Sequence, residues 1–222
     1  MKIDSCVILC GGKSSRLNGA NGISKIFLPF GDKSLIAHNF AKMQGIFKRV
    51  FIACKDNQRD LIKKSLQNLG KSAQFFTNLL TPSARELESS TDTYDIFIIE
   101  STPIFAPIVG IISAFTQLND DKIFFISCDC PVVAPNTIES LCKNSTNYDI
   151  VFAKDSCKIH PLIAVWSKNT LPLLQDSLKN GDFRLQNIIE KVRAKPINFS
   201  DSHEFLNINT MSDYKSAIQI LG

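Results

Sequence analysis

No uninterrupted apolar run in the 222-residue sequence approaches the ~18 residues of a membrane span, so a soluble protein with no membrane partner is expected. No block of cations is present either. Lys and Arg exceed Asp and Glu by only four, 25 against 21, and are spread along the chain, which argues against nucleic acid and leaves small anionic ligands compatible. Met1-Lys2-Ile3-Asp4 lacks the basic and apolar regions of a signal peptide, and the seven cysteines are odd in number and irregularly spaced, so a reduced cytoplasmic compartment is expected. Cys128 and Cys130 have no second cysteine pair and no Cys/His pair at ligand spacing, which excludes an ordinary zinc site and makes them packing residues. No composition shift calls for a second domain, and residues 1–222 read as one.

What is present is an apolar run, Cys6-Val7-Ile8-Leu9-Cys10, breaking into Gly11-Gly12-Lys13-Ser14-Ser15-Arg16 and followed by Lys25. Two glycines let backbone N–H groups approach an anion, and Lys13, Arg16 and Lys25 add full charge, so a phosphate-bearing ligand such as a nucleotide suits the stretch. The G-x-G-x-x-G dinucleotide fingerprint is missing, because the glycines are adjacent. Gly12-Lys13-Ser14 resembles the end of a Walker A loop, but Val7 stands where that motif needs its first glycine. The stretch matches, position by position, the loop of small nucleotidyltransferases, L-x-G-G-x-S-x-R with a spaced lysine. The competing reading is a tight turn with solvated cations.

Further along, Ser34 can cap a helix carrying Leu35, Ile36, Phe40, Met43 and Phe47, and Val50–Ala53 reads as a strand before a helix from Asp56 to Leu69. A strand at Ala73–Phe76 and a short helix at Ser83–Ser89 are expected next, and Asn18–Gly22 is expected to form a flap. Asp95–Glu100 and Ile123–Ser127 are buried strands, and Pro107 opens a helix between them. The β-α-β alternation favours a parallel sheet covered on both faces, with ligands beyond the carboxyl ends of its strands. Strands at Ile150–Ala153 and Leu162–Trp166 are joined by too few residues for a crossover helix, so an antiparallel hairpin and a mixed sheet follow. Helices near Asn136–Lys143, Thr170–Lys179 and Leu185–Arg193 complete the expectation, with a last helix entered through a Thr210/Asp213 capping box.

Three polar groups have two readings each. Asp129, delivered by a strand to the ligand edge, either holds a divalent ion with substrate phosphates and water, or caps the helix beginning near Asn136 or closes a turn with Pro131. Asn207 and Asn209 either present two amides to a heterocycle or shape the entry to the final helix. His160 is either a strand-edge residue or an acid–base group, and no orienting partner for it is evident in the sequence.

The order of these motifs resembles the MobA-type molybdenum cofactor guanylyltransferases over nearly the whole chain. The residues that carry the resemblance are Leu9 to Arg16 with Lys25, Pro107-Ile108-Val109-Gly110-Ile111, Cys128-Asp129-Cys130-Pro131, His160-Pro161-Leu162, Arg184-Leu185, and Asn207-Ile208-Asn209-Thr210 with Asp213. Ala106 replaces a glycine of the family pattern, Lys55 stands where asparagine is frequent, and Asn18 to Ser24 lengthen the gap before Lys25.

The resemblance implies a three-layer, Rossmann-like α/β nucleotidyltransferase fold with a mostly parallel, mixed sheet. It also implies an enzyme that transfers GMP from GTP to molybdopterin, forming molybdopterin guanine dinucleotide and releasing pyrophosphate. By the same resemblance Leu9, Cys10, Gly11, Gly12, Lys25, Glu100 and Asp129 contact GTP, with Glu100 reading guanine. Asp129 holds Mg2+, Arg16 and Lys25 join it in catalysis, and Arg184, Asn207 and Asn209 face the acceptor. Other cofactor-biosynthesis proteins and apo-molybdoenzymes are the implied further partners. Two rival readings share much of this pattern: a nucleotidyltransferase using CTP or another phosphorylated acceptor, and a non-catalytic carrier of the finished cofactor.

Overall fold

The structure is a computed structural model that describes residues 3–10, 24–67, 96–100 and 102–221. The expected flap at Asn18–Gly22, the strand at Ala73–Phe76 and the helix at Ser83–Ser89 lie outside the described residues, as do Gly11, Gly12 and Arg16.

Short, β-branched and aromatic runs form the strands of a seven-stranded sheet. They are β1 (Ser5–Leu9), β4 (Arg49–Cys54), β5 (Phe97–Ile99), β6 (Lys122–Ser127), β7 (Ile150–Lys154), β8 (Ile159–Ser167) and β9 (Ala194–Asn198), in spatial order β5-β4-β1-β6-β8-β7-β9. All neighbours are parallel except β8, which runs antiparallel to both β6 and β7. β2 (Pro29–Phe30) and β3 (Lys33–Ser34) form a separate hairpin, turned at Gly31 with φ 65°, a left-handed conformation that glycine adopts without a Cβ clash.

Successive side chains of a strand point to opposite faces, and the core divides accordingly. Cys6, Ile8, Ile52, Phe124 and Ile126 pack on one side with α1 (Leu35–Gln44), α2 (Asp56–Gln67) and α4 (Pro135–Lys143). Val7, Leu9, Phe51, Phe125 and Trp166 pack on the other with α3 (Pro107–Gln117), α5 (Leu171–Lys179) and α6 (Leu185–Ile189). The result is the expected three-layer, mixed α/β nucleotidyltransferase architecture.

Local signals act as read. The Ser34 hydroxyl accepts a hydrogen bond from the Ala37 N–H at 3.3 Å and starts α1. Before α7 (Met211–Leu221), the Thr210 hydroxyl accepts from the Asp213 N–H at 3.2 Å, and Asp213 accepts from the N–H groups of Thr210 and Asn209.

One expectation is corrected. The helix from Leu185 ends at Ile189 instead of Arg193, and the chain then forms β9, which the sequence does not announce. Pro196 lies within β9 and has no N–H to give a ladder, which an edge strand paired only with β7 tolerates.

Candidate active site

The strand order reverses direction around β1, which lies between β4 and β6, and the chain leaves the sheet there at the carboxyl ends. That is the position where open α/β sheets hold ligands. One polar group after another stands just past a strand of this edge: Cys10 after β1, Lys55 after β4, Glu100 after β5, Asp129 after β6 and Asp155 after β7. The β1 and β6 exits are tied by the Cys128 N–H donating to Leu9 O, and the β1 and β4 exits by the Cys10 N–H donating to Ala53 O.

Asp129 is the centre of the group. Its Oδ2 lies 2.5 Å from Lys25 Nζ, and its Oδ1 accepts from the Ser127 hydroxyl at 2.5 Å. Its main-chain carbonyl accepts the Ile208 N–H at 2.9 Å, which brings the Asn207-Ile208-Asn209 segment alongside. Lys25 completes the junction by donating to Ile208 O at 3.2 Å and Asn209 Oδ1 at 3.4 Å. Three motifs from positions 25, 129 and 207–209 therefore meet at one point, and the capping role of Asp213 on α7 exists beside this contact. Asn207 Oδ1 is buried and has no hydrogen-bond donor among the described residues.

The loop that carries Asp129 is pinned from below by residues the sequence reading missed. Asn39, fully buried on α1, donates to Cys128 O at 2.7 Å, and Lys42 one turn later donates to Pro131 O at 3.0 Å. Glu204 accepts the Ala134 N–H and the Thr137 hydroxyl, both at 3.0 Å. A signal for Asn39 existed: it interrupts the apolar stripe of Ile36, Phe40 and Met43, and a buried amide there must find a partner. Lys42 is pushed down to about 8 by its burial.

The thiols of this floor are inert. Cys10 titrates well above its usual range because it hydrogen-bonds Cys128 and is buried, and Cys130 does so through burial and the neighbouring Asp129. Both are therefore protonated packing groups, without the thiolate that a nucleophile requires.

Glu100 is enclosed. Its Oε2 lies 2.9 Å from Lys55 Nζ, and its side chain is 1% exposed. This contact is one of charge, and Oε2 receives no aligned hydrogen bond; the directed bonds of Lys55 go to Thr102 O at 2.6 Å and Ile104 O at 2.8 Å. Lys55 thus closes the loop before α3 over the Glu100 carboxylate, with the half-exposed Phe105 ring 5.2 Å from the ammonium. Gly110 of α3 is required by this packing, because a Cβ there would come within 2.6 Å of Leu9 Cδ2 and 3.1 Å of Glu100 Oε1.

Arg184 stands apart. It caps α6 on the opposite face of the sheet from the Asn207–Asn209 segment, and its exposed side chain pairs with Asp182 at 3.6 Å.

Among the described residues no three His, Cys, Asp or Glu side chains converge into a metal cage. A single carboxylate suffices for magnesium when phosphates and water supply the remaining oxygens. Asp129 supplies that carboxylate, although Lys25 stands on its Oδ2 and the Ser127 hydroxyl on its Oδ1, so a metal ion would share or displace one of them.

A family model described as a MobA-like NTP transferase domain matches residues 6–196. A molybdenum cofactor guanylyltransferase of Helicobacter pylori (strain P12) is 34% identical over 97% of this chain and 92% of its own length. One from Campylobacter jejuni (strain 81116) is 26% identical over 95% of this chain and 93% of its own. Among solved structures, molybdopterin-guanine dinucleotide biosynthesis protein A from Archaeoglobus fulgidus superposes with a TM-score of 0.70 at 20% identity, covering 98% of both chains, which shows a shared fold.

Proposed function

The chain belongs to the family of MobA-like NTP transferase domains and acts as a nucleotidyltransferase of molybdenum cofactor biosynthesis; on that premise we propose that it transfers GMP from GTP to molybdopterin and releases pyrophosphate. The observation that carries this reading is the convergence of Lys25, Asp129 and the Asn207–Asn209 segment at the switch point of the sheet. Nucleotide-side and acceptor-side residues, far apart in sequence, are there in hydrogen-bond contact.

The acceptor's phosphate oxygen is already anionic, so the displacement at the α-phosphorus needs positioning and charge neutralisation instead of a general base. Lys25, held between Asp129 and the Asn207–Asn209 segment, is placed to steady the charge that gathers on the departing pyrophosphate. Arg16 and the N–H groups of Gly11 and Gly12 are assigned the rest of the triphosphate. Asp129 would hold Mg2+, which supplies further neutralisation of phosphate charge when bound. Asn207, whose Oδ1 lacks a donor among the described residues, and Asn209 would face the pterin, and Arg184, paired with Asp182 on the other face of the sheet, is left out of the acceptor site.

Guanine presents N1–H and an exocyclic amine side by side, a donor pair that one carboxylate accepts. Glu100, whose Oε2 is charge-paired with Lys55 Nζ at 2.9 Å, is assigned that role, and guanine would reach it by displacing Lys55 and the loop that it holds. The direct test is a panel of GTP, CTP, ATP and UTP with magnesium, read by pyrophosphate release with and without molybdopterin. Acceptor-dependent release from GTP alone is expected. Equal release from CTP, or release that ignores the acceptor, would overturn the assignment.

A further inference from the structure

His160 at the start of β8 is buried, and its Nε2 lies 3.0 Å from Asp155 Oδ2 at the end of β7. No orienting partner for it is evident in the sequence, yet the β7–β8 turn supplies one five residues upstream. Asp155 is itself fixed, because its Oδ1 accepts the N–H groups of Cys157 and Lys158, both at 2.7 Å. The imidazole cannot rotate freely, and its flat face lies on the Phe205 ring, with centroids 4.4 Å apart and planes 23° from parallel.

Phe205 begins the segment that ends at the reaction centre. The segment is pinned at Glu204 by Ala134 and Thr137, at Phe205 by His160 and Phe199, at Ile208 by Asp129 O, and at Asn209 by Lys25. Asn207 lies two positions after the stacked ring and Ile208 three. An error in the position of Phe205 is passed to the amides that face the acceptor and to the carbonyl of Asp129.

We infer that the Asp155–His160 pair is a positioning device: Asp155 orients the imidazole, the imidazole seats Phe205, and Phe205 holds the Asn207–Asn209 segment in register with Lys25 and Asp129. The acceptor half of this inference rests on the function proposed above. His160 is a positioning residue, since its ring is covered by Phe205 and the reaction needs no base. Stacked aromatic pairs stabilise beyond the area they bury, and this contact holds the short segment in one arrangement.

Two variants separate the ring from its hydrogen bond. His160→Gln keeps an N–H that can reach Asp155 and removes the ring, whereas His160→Phe keeps a ring over Phe205 and removes the N–H. Hydrogen exchange on the ligand-free protein gives the readout that is independent of substrate. In His160→Gln the Ile208 amide should exchange about tenfold faster, while the Cys10 amide, bonded within the sheet to Ala53 O, keeps its wild-type protection. In steady state the same variant should raise KM for molybdopterin about tenfold and leave KM for GTP unchanged, and His160→Phe, which keeps the ring without the bond to Asp155, should restore only part of both. Faster exchange at Ile208 and Cys10 alike, or wild-type exchange at Ile208 in His160→Gln, would overturn the inference. A wild-type protein that ignores molybdopterin would overturn the proposed function and leave the exchange result to decide this one.

Discussion

Lys25 Nζ and Asp129 Oδ2, 104 residues apart in the chain, stand 2.5 Å apart at the carboxyl edge of the sheet. Both side chains are mostly enclosed, 16% and 13% exposed, so each offsets a charge that its neighbour would otherwise leave poorly solvated.

Lys25→Ala should lower kcat by about two to three decades, the usual loss when one preorganised charge-stabilising donor is removed. Steady-state pyrophosphate release measures it. Wild-type turnover in this variant would transfer the role to Lys13 or Arg16.

Asn39→Leu keeps the side-chain volume of α1 but leaves Cys128 O without its donor. A buried carbonyl deprived of its partner costs about 1–3 kcal/mol, which denaturant unfolding would resolve. Turnover should fall as well, because the β6 exit that carries Asp129 loses its anchor. A variant as stable and active as wild type would show that Lys42 and Glu204 hold the loop unaided.

Glu100→Gln should reduce the preference for GTP over CTP at least about tenfold, as expected when a charged acceptor of base N–H groups is made neutral. Competition binding of the two nucleotides reads this directly. Unchanged preference would mean that Glu100 serves only to hold Lys55 and the 102–105 loop, and that backbone groups of that loop read the base.

Acid should unfold the protein in two stages around the β7–β8 turn, where Asp155, His160, Lys158 and Glu204 lie together. Burial holds His160 below its usual range despite the pull of Asp155, so its contribution is present above its unfolded value of about 6.5 and is lost as pH falls below it. Burial pushes Asp155 up, but the hydrogen bonds from His160 and the Lys158 and Cys157 N–H groups outweigh it and hold the carboxyl at about 2. Its contribution is therefore present above its unfolded value of about 3.9 and is lost between roughly pH 4 and pH 2. Stability measured against pH should show the loss in the lower stage shrink in Asp155→Asn, with Asp149, Asp182 and Asp213, whose carboxyls are also held below their usual range, supplying the remainder. A lower stage that persists undiminished in the variant would place it wholly in other carboxylates.

Much of the fold was legible because its strands are short apolar runs ended by glycine, proline or polar residues. β1 and β6 stand out this way, and the short Lys154–Ile159 link correctly forced β7 and β8 into an antiparallel pair. β9 was illegible because an edge strand buries little, and Ala194-Lys195-Pro196-Ile197-Asn198 carries neither a buried alternation nor a full set of donors. At the site, Lys25, Asp129 and the two asparagines could be named from motif spacing, and their meeting is a consequence of sheet topology. The Lys55–Glu100 pair, the Cys128 carbonyl that Asn39 anchors and the Asp155 partner of His160 could not be named, since each depends on contacts between segments that no local pattern encodes.

The most direct test of the account follows the α-phosphorus of GTP. With α-32P-labelled GTP, magnesium and molybdopterin, the label should appear in a molybdopterin guanine dinucleotide in equal amount to the pyrophosphate released, with none on the protein, and Lys25→Ala should slow its appearance. Label retained on the protein, or recovered as free GMP irrespective of the acceptor, would contradict direct transfer at the Lys25–Asp129 site.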